Sequence, residues 1–272
     1  MCKKITTVIL DWAGTAIDYG SFAPVNAFIK AFEFYGITPT MDETRAPMGM
    51  EKHAHVAKML DGERLTAEWA YKHGRSHTET DIDEIYSRFE PALFEVLENF
   101  TDPLPGVLDV VQEIRDMGIA IGSTTGYTKA MMDVVAPLAE EKGYSPDCLV
   151  CPGDVGYGRP YPYMIWRNLE KLMVSDIREV VKVGDTIADI EEGNNAGCVS
   201  VGVIKGSSVL GLNEKELAGK SKAETASLLK DAKRKFICAG ADYVIDDITA
   251  LPKLITALGL GNIRHKQSFI AY

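Results

Sequence analysis

Apolar positions along the chain fall into two alternating patterns. Short runs rich in β-branched residues recur at Ile5–Leu10, Ile119–Ser123, Cys148–Val150, Val180–Val183, Val199–Ile204 and Tyr243–Ile245. Their length and composition suit buried strands. Longer stretches with helical spacing, such as Val107–Met117, lie between them. Strands that alternate with helices imply βαβ units and a parallel sheet, which binds ligands beyond the carboxyl ends of its strands. Polar groups collect at that end of three runs: Asp11, Ser123–Thr125 and Asp185. The carboxyl edge of the sheet is therefore the expected site.

Between Tyr19 and about Phe100 the alternation stops and only helical patterns remain. Pro24 suits a first helical position and Gly36 a helix end. Thr40 and Glu43 have the spacing of a capping box. Thr80 precedes an apolar face of Ile82, Ile85, Tyr86 and Phe89, which continues to Leu93, Phe94 and Leu97, with Pro91 as an expected kink. The exit Asp102-Pro103-Leu104-Pro105-Gly106 reads as a stiff hinge. The expected architecture is α/β: a Rossmann-like parallel sheet core formed by 1–20 and 101–272, with an inserted all-helical cap over 21–100.

A formal net charge of −10 argues against a broad basic surface for nucleic acid. It still permits a small anionic substrate where helix ends, a few cations and a metal reverse the local sign. No run approaches the ~18 apolar residues of a membrane span. Met1-Cys2-Lys3-Lys4 leads directly into a strand-like segment and lacks the features of a secretory leader. The five cysteines are sparse and odd in number, which suggests a reduced, cytoplasmic setting. Cys148 and Cys151 form a lone C-x-x-C without zinc-ligand spacing, so they read as buried thiols. The charged stretch Lys205–Arg234 reads as a solvated face.

The chemistry-bearing residues cluster at the strand ends. In Ile9-Leu10-Asp11-Trp12-Ala13-Gly14-Thr15 a carboxylate ends a buried strand before a tight turn. Such an aspartate alone would commonly cap its turn. The pattern repeats in Val181-Lys182-Val183-Gly184-Asp185-Thr186, with Asp189 further on. Two converging carboxylates suit a hard cation with oxygen ligands, magnesium above all. The hydroxyls of Ser123, Thr124 and Thr125, with Arg159 on a loop, offer donors to a phosphoryl group.

This ordered set resembles the four motifs of the haloacid dehalogenase superfamily. The resemblance implies Asp11 as nucleophile, Thr125 and Arg159 on the phosphoryl oxygens, and Asp185 with Asp11 on magnesium. Asp189 would support the metal or position Arg159. One position departs from the pattern: most phosphatases of the superfamily carry a second aspartate two residues after the nucleophile, where this chain has Ala13. Loss of a general acid typically forfeits ~10²–10⁴ in rate. The Ala13 backbone carbonyl could still reach the metal.

The cap segment Pro47-Met48-Gly49-Met50-Glu51-Lys52-His53-Ala54-His55 offers a replacement. Gly49 should place Lys52 in the first turn of a helix, where the helix dipole and desolvation both lower an amine's pKa. A neutral amine can form a Schiff base. His55 lies on the same helical face and could shuttle protons. Together with Gly122-Ser123-Thr124-Thr125-Gly126-Tyr127 and Gly158-Arg159-Pro160-Tyr161-Pro162, these strings resemble the branch of the superfamily that hydrolyses a carbon–phosphorus bond in a small phosphonate. The resemblance implies Lys52 as the imine-forming residue, Met48 and Tyr127 near the substrate, and a homodimer joined through the caps. An ordinary phosphomonoesterase or phosphomutase of the same fold, and a catalytically silent phosphate binder, are the competing readings.

Overall fold

The computed structural model of the protein describes residues 4–259. The reading of Met1–Lys3, Cys2 included, and the end of the expected core beyond 259 lie outside these residues. Six strands form one parallel sheet: β1 (Thr7–Leu10), β2 (Ala120–Thr124), β3 (Cys148–Val150), β4 (Val180–Gly184), β5 (Val199–Val203) and β6 (Tyr243–Ile245). Their order is β3-β2-β1-β4-β5-β6. All six expected strands are present, displaced by two residues at most. The four residues of β1 are buried, as expected for a parallel strand covered on both faces. The strand order reverses between β1 and β4, the place where such sheets open a crevice for ligand.

Five helices follow β1 and precede the segment that returns to the sheet through a sixth: α1 (Phe22–Glu33), α2 (Met41–Arg45), α3 (Lys52–Leu60), α4 (Glu63–His73) and α5 (Glu79–Phe94). Phe28 of α1 stacks on Phe89 of α5 with ring centroids 4.0 Å apart. The remaining helices flank the sheet: α6 (Val107–Asp116), α7 (Lys129–Glu141), α8 (Tyr163–Lys171), α9 (Ile187–Ala196), α10 (Glu214–Ala218), α11 (Lys222–Cys238) and α12 (Leu251–Gly259). The two chain segments joining α1–α5 to the sheet run side by side. Ile17 bridges Pro103, Asp18 N–H donates to Asp102 O at 3.3 Å, and Leu104 N–H donates to Ala16 O at 2.9 Å.

Two local expectations need correction. Pro24 is the third residue of α1, not the first. The Asp18 carboxylate accepts from Phe22 N–H at 3.0 Å and Ala23 N–H at 3.1 Å, which starts the helix earlier. Proline is tolerated there because first-turn N–H groups lack intrahelical partners. Thr78, not Thr80, begins α5: its N–H and hydroxyl both donate to Asp81 at 2.7 Å. α5 also continues through Pro91 to Phe94. The Thr40–Glu43 capping box is formed as expected.

Candidate active site

Asp11 follows β1 and Asp185 follows β4, so adjacent strands deliver both carboxylates to one edge. Asp11 N–H extends the ladder by donating to Val183 O at 2.9 Å. The turn after Asp11 needs a glycine. Gly14 has φ +90°, and a Cβ there would collide with the Asp185 carboxylate. Asp185 Oδ2 accepts from Ser208 N–H at 2.7 Å, while Oδ1 is buried with no hydrogen-bond partner among the described residues. Oxygens of Asp11, Asp185 and Asp189 lie within 4.8 Å of one another. Burial pushes the Asp185 carboxyl well above its ordinary range, and the charges of Asp11 and Asp189 push it further. Mutually repelling buried carboxylates with an unpartnered oxygen fit a hard divalent cation.

Asp189 is held from several sides. It stands at the third position of α9, where its carboxylate accepts from Thr186 N–H at 3.1 Å and from the Thr186 hydroxyl at 2.6 Å. The Thr186 hydroxyl returns a bond from Asp189 N–H at 3.1 Å, which completes a capping box. Its other oxygen faces Arg159 Nη1 at 3.1 Å and Lys182 Nζ at 2.8 Å. The two cations hold its pKa down against burial. This arrangement favours the Arg159-positioning role over direct ligation of a metal.

Arg159 is fully buried and pairs with Asp11 at 2.6 Å and Glu192 at 2.9 Å. Its Nη2 also donates to Thr124 O at 2.7 Å and its Nη1 to Gly49 O at 3.4 Å. The last contact joins Arg159 to the helical insert. Gly49, at φ +90°, presses against Thr186, where any side chain would collide. Thr125 Oγ1 accepts from Tyr127 N–H at 3.1 Å.

Lys52 opens α3, as its spacing from Gly49 predicts. The Glu51 carboxylate caps that helix, accepting from His53 and Ala54 N–H at 3.0 Å each. Lys52 is 2% exposed. Burial lowers its amine to about 8; the Arg159 charge acts in the same direction, while Asp11, Glu51 and Asp185 oppose it. Its Nζ stands 5.1 Å from the centre of the Tyr127 ring. His55 sits one turn further along α3, stacked on Phe28 at 3.9 Å, with Nε2 bonded to Thr44 O at 2.9 Å. Burial keeps its pKa well below the usual range. The imidazole is therefore neutral, with Nε2 as donor and a bare Nδ1.

Asp11, Ala13, Met48, Lys52, Thr125, Tyr127, Arg159 and Asp185 all line one small cavity of about 20 Å³. Ser21, Gly49, Gly126 and Thr186 complete its wall. His55 and Asp189 stand behind it. Sequence reasoning missed several neighbours. Ser208 falls in the stretch assigned to a solvated face, yet it is 3% exposed and holds Asp185. Lys182 and Glu192 form the support behind Arg159, together with Thr124, whose hydroxyl was expected at the site and accepts from Arg159 and Lys182. Arg45 of α2 donates to Gly20 O at 2.7 Å and Ser208 O at 3.4 Å. The lysine on β4 was the one legible signal, because a charge inside an apolar strand requires a buried partner.

A model of haloacid dehalogenase-like hydrolases matches residues 5–197. A phosphonoacetaldehyde hydrolase of Lysinibacillus sphaericus is 49% identical over 94% of this chain and 95% of its own length. A bifunctional phosphonoacetaldehyde hydrolase/aminoethylphosphonate transaminase of Clostridioides difficile is 48% identical over 93% of this chain, which spans 40% of that longer protein. The crystal structure of a phosphonoacetaldehyde hydrolase-like protein from Oleispira antarctica superposes with a TM-score of 0.93 at 36% identity, covering 97% of both chains. A β-phosphoglucomutase from Clostridium difficile shares the fold, with a TM-score of 0.67 at 18% identity. The chain therefore belongs to the haloacid dehalogenase-like hydrolases and, within them, to the phosphonoacetaldehyde hydrolase family.

Proposed function

We propose that the protein hydrolyses phosphonoacetaldehyde to acetaldehyde and phosphate, with Lys52 as electron sink and Asp11 as nucleophile. The observation that carries this reading is the shared cavity: a desolvated amine and a carboxylate face one chamber, and position 13 is an alanine. A carbon–phosphorus bond has no oxygen to protonate, and a bare carbanion is a very poor leaving group. Lys52 condenses with the aldehyde, losing water and forming an iminium. Asp11 then attacks phosphorus, the bond's electron pair moves into the iminium as an enamine, and an aspartyl phosphate forms. The enamine takes a proton on carbon and is hydrolysed to acetaldehyde, which frees Lys52. Water releases phosphate from Asp11.

Arg159 and Thr125 hold the phosphoryl oxygens, and Met48 and Tyr127 enclose the two-carbon fragment. His55, neutral beneath Lys52, serves the amine's proton transfers through its bare Nδ1. Magnesium, which we assign to Asp11, Asp185 and the Ala13 carbonyl, supplies charge neutralisation at those oxygens when bound. Asp189 supports this set by fixing Arg159. The helices of 21–100 act as a cap that opens on the paired segments near Ile17 and Pro103.

We also assign a homodimer formed through the caps, where Phe34 and Tyr71 are exposed. A larger exposed aromatic group of Tyr157, Tyr161, Tyr163 and Trp166 lies on the sheet-bearing part. Tyr71→Glu should yield monomers in light scattering and Trp166→Glu should not; the reverse would move the interface. Among the described residues no helix is long and apolar enough to cross a membrane, and Cys148, Cys151, Cys198 and Cys238 are free thiols. These thiols support the cytoplasmic setting.

Borohydride added with substrate should tether two carbons to Lys52. Full retention of the parent mass would overturn the imine step. Turnover of a simple phosphate ester in place of the phosphonate would favour a phosphomonoesterase, and tight phosphate binding without turnover a silent binder.

A further inference from the structure

Two buried cations share the same three acceptors. Lys182 Nζ lies 2.8 Å from Thr124 Oγ1, 2.8 Å from Asp189 Oδ1 and 3.3 Å from Glu192 Oε2. Arg159 reaches the same oxygens at 2.8, 3.1 and 2.9 Å. It is Arg159 that extends to Asp11, at 2.6 Å. The charged side chains of Arg159, Lys182, Asp189 and Glu192 are all fully inaccessible. Two positive and two negative groups thus form a formally neutral quartet behind the nucleophile, with Lys182 on the sheet side and Arg159 on the site side. Away from water, a single uncompensated charge there acts on its neighbours with little screening.

We propose that Lys182 and Glu192 are positioning residues that set how much positive charge Arg159 presents to the phosphoryl group. The inference rests on the reading of Arg159 as the phosphoryl-binding cation. Neutralising Glu192 leaves the quartet with a net positive charge. Arg159 is then drawn toward the site, holding phosphate more tightly and restraining Asp11. Neutralising Lys182 leaves a net negative charge that pulls Arg159 back and weakens its grip. Removing both charges restores the balance.

The test is calorimetric binding of inorganic phosphate, with and without magnesium, to the parent, Glu192→Gln, Lys182→Met and the double variant. Phosphate affinity should rise about tenfold in Glu192→Gln, fall about tenfold in Lys182→Met and return to within about threefold of the parent in the double variant. Glu192→Gln should also lower kcat for the phosphonate while KM falls. Two single variants that shift affinity in the same direction, or a double variant weaker than either, would overturn the proposal. If Lys182→Met fails to fold by circular dichroism, Glu192→Gln and the charge-balanced double variant decide. A Glu192→Gln protein that binds phosphate no more tightly than the parent is then sufficient refutation. The readout is the affinity for phosphate and not imine formation at Lys52, so failure of the imine chemistry would leave this comparison of variants unchanged.

Discussion

Lys52 shows how one side chain is prepared for chemistry by its surroundings. With its amine near 8, about a quarter is neutral at pH 7.5, against about one part in a thousand for a solvated lysine. Borohydride trapping should therefore rise with pH through about 8 and level off above it, and a profile still rising past pH 10 would contradict the buried amine. The same shift affects stability. Between about 8 and the ordinary lysine value the unfolded chain retains a proton that the folded chain has released, so stability rises with pH across that window. Below it both states are protonated and the cost of burying the charge is constant. Lys52→Met should accordingly unfold at a higher temperature than the parent at pH 7, while losing phosphonate cleavage. Lys52→Arg should lose cleavage as well yet keep magnesium binding by calorimetry. The position of Lys52 at a helix start was legible from Gly49 and the apolar spacing that follows. Its desolvation was expected, but not how complete the burial is, because Tyr127, whose ring the amine faces at 5.1 Å, and the other walls of the cavity are remote in sequence.

Secondary-structure elements here carry function in their ends. The capping box of α9 uses Asp189, so the bond that starts the helix also fixes an anion for Arg159. Thr186→Ala should cost about 1 kcal/mol in denaturant unfolding and weaken phosphate binding, whereas loss of a cap alone would leave binding unchanged. Gly14→Ala places a side chain in a left-handed turn against Asp185. It should cost about 1–2 kcal/mol in backbone strain and reduce magnesium affinity measured by calorimetry. The strands were readable because parallel strands buried on both faces appear as unbroken apolar runs. Helix starts were less so. Asp18 and Thr78 cap from positions that hydrophobic spacing does not mark, since a cap depends on where a side-chain oxygen meets a free N–H. Glu192 was illegible for a related reason: on an amphipathic helix a glutamate looks solvated until Lys182 and Arg159 are seen beside it.

At the scale of the whole molecule, the insert and the sheet meet through Arg159 with Gly49, Arg45 with Ser208, and the paired segments at Ile17 and Pro103. Arg45→Met removes one of these ties while leaving the cavity wall intact. Hydrogen exchange around Tyr127 should then quicken several-fold, with KM rising more than kcat falls. Unchanged exchange would show that Arg45 does not hold the two parts together. The chamber between them, about 20 Å³, has room for roughly one water molecule. Phosphonoacetaldehyde is larger than that space, so on the proposed reading the helical insert moves away from the sheet to load the substrate and again to release its products. If that movement contributes to the rate of turnover, kcat should decline as sucrose raises the viscosity of the medium, and a kcat independent of viscosity would show that it does not.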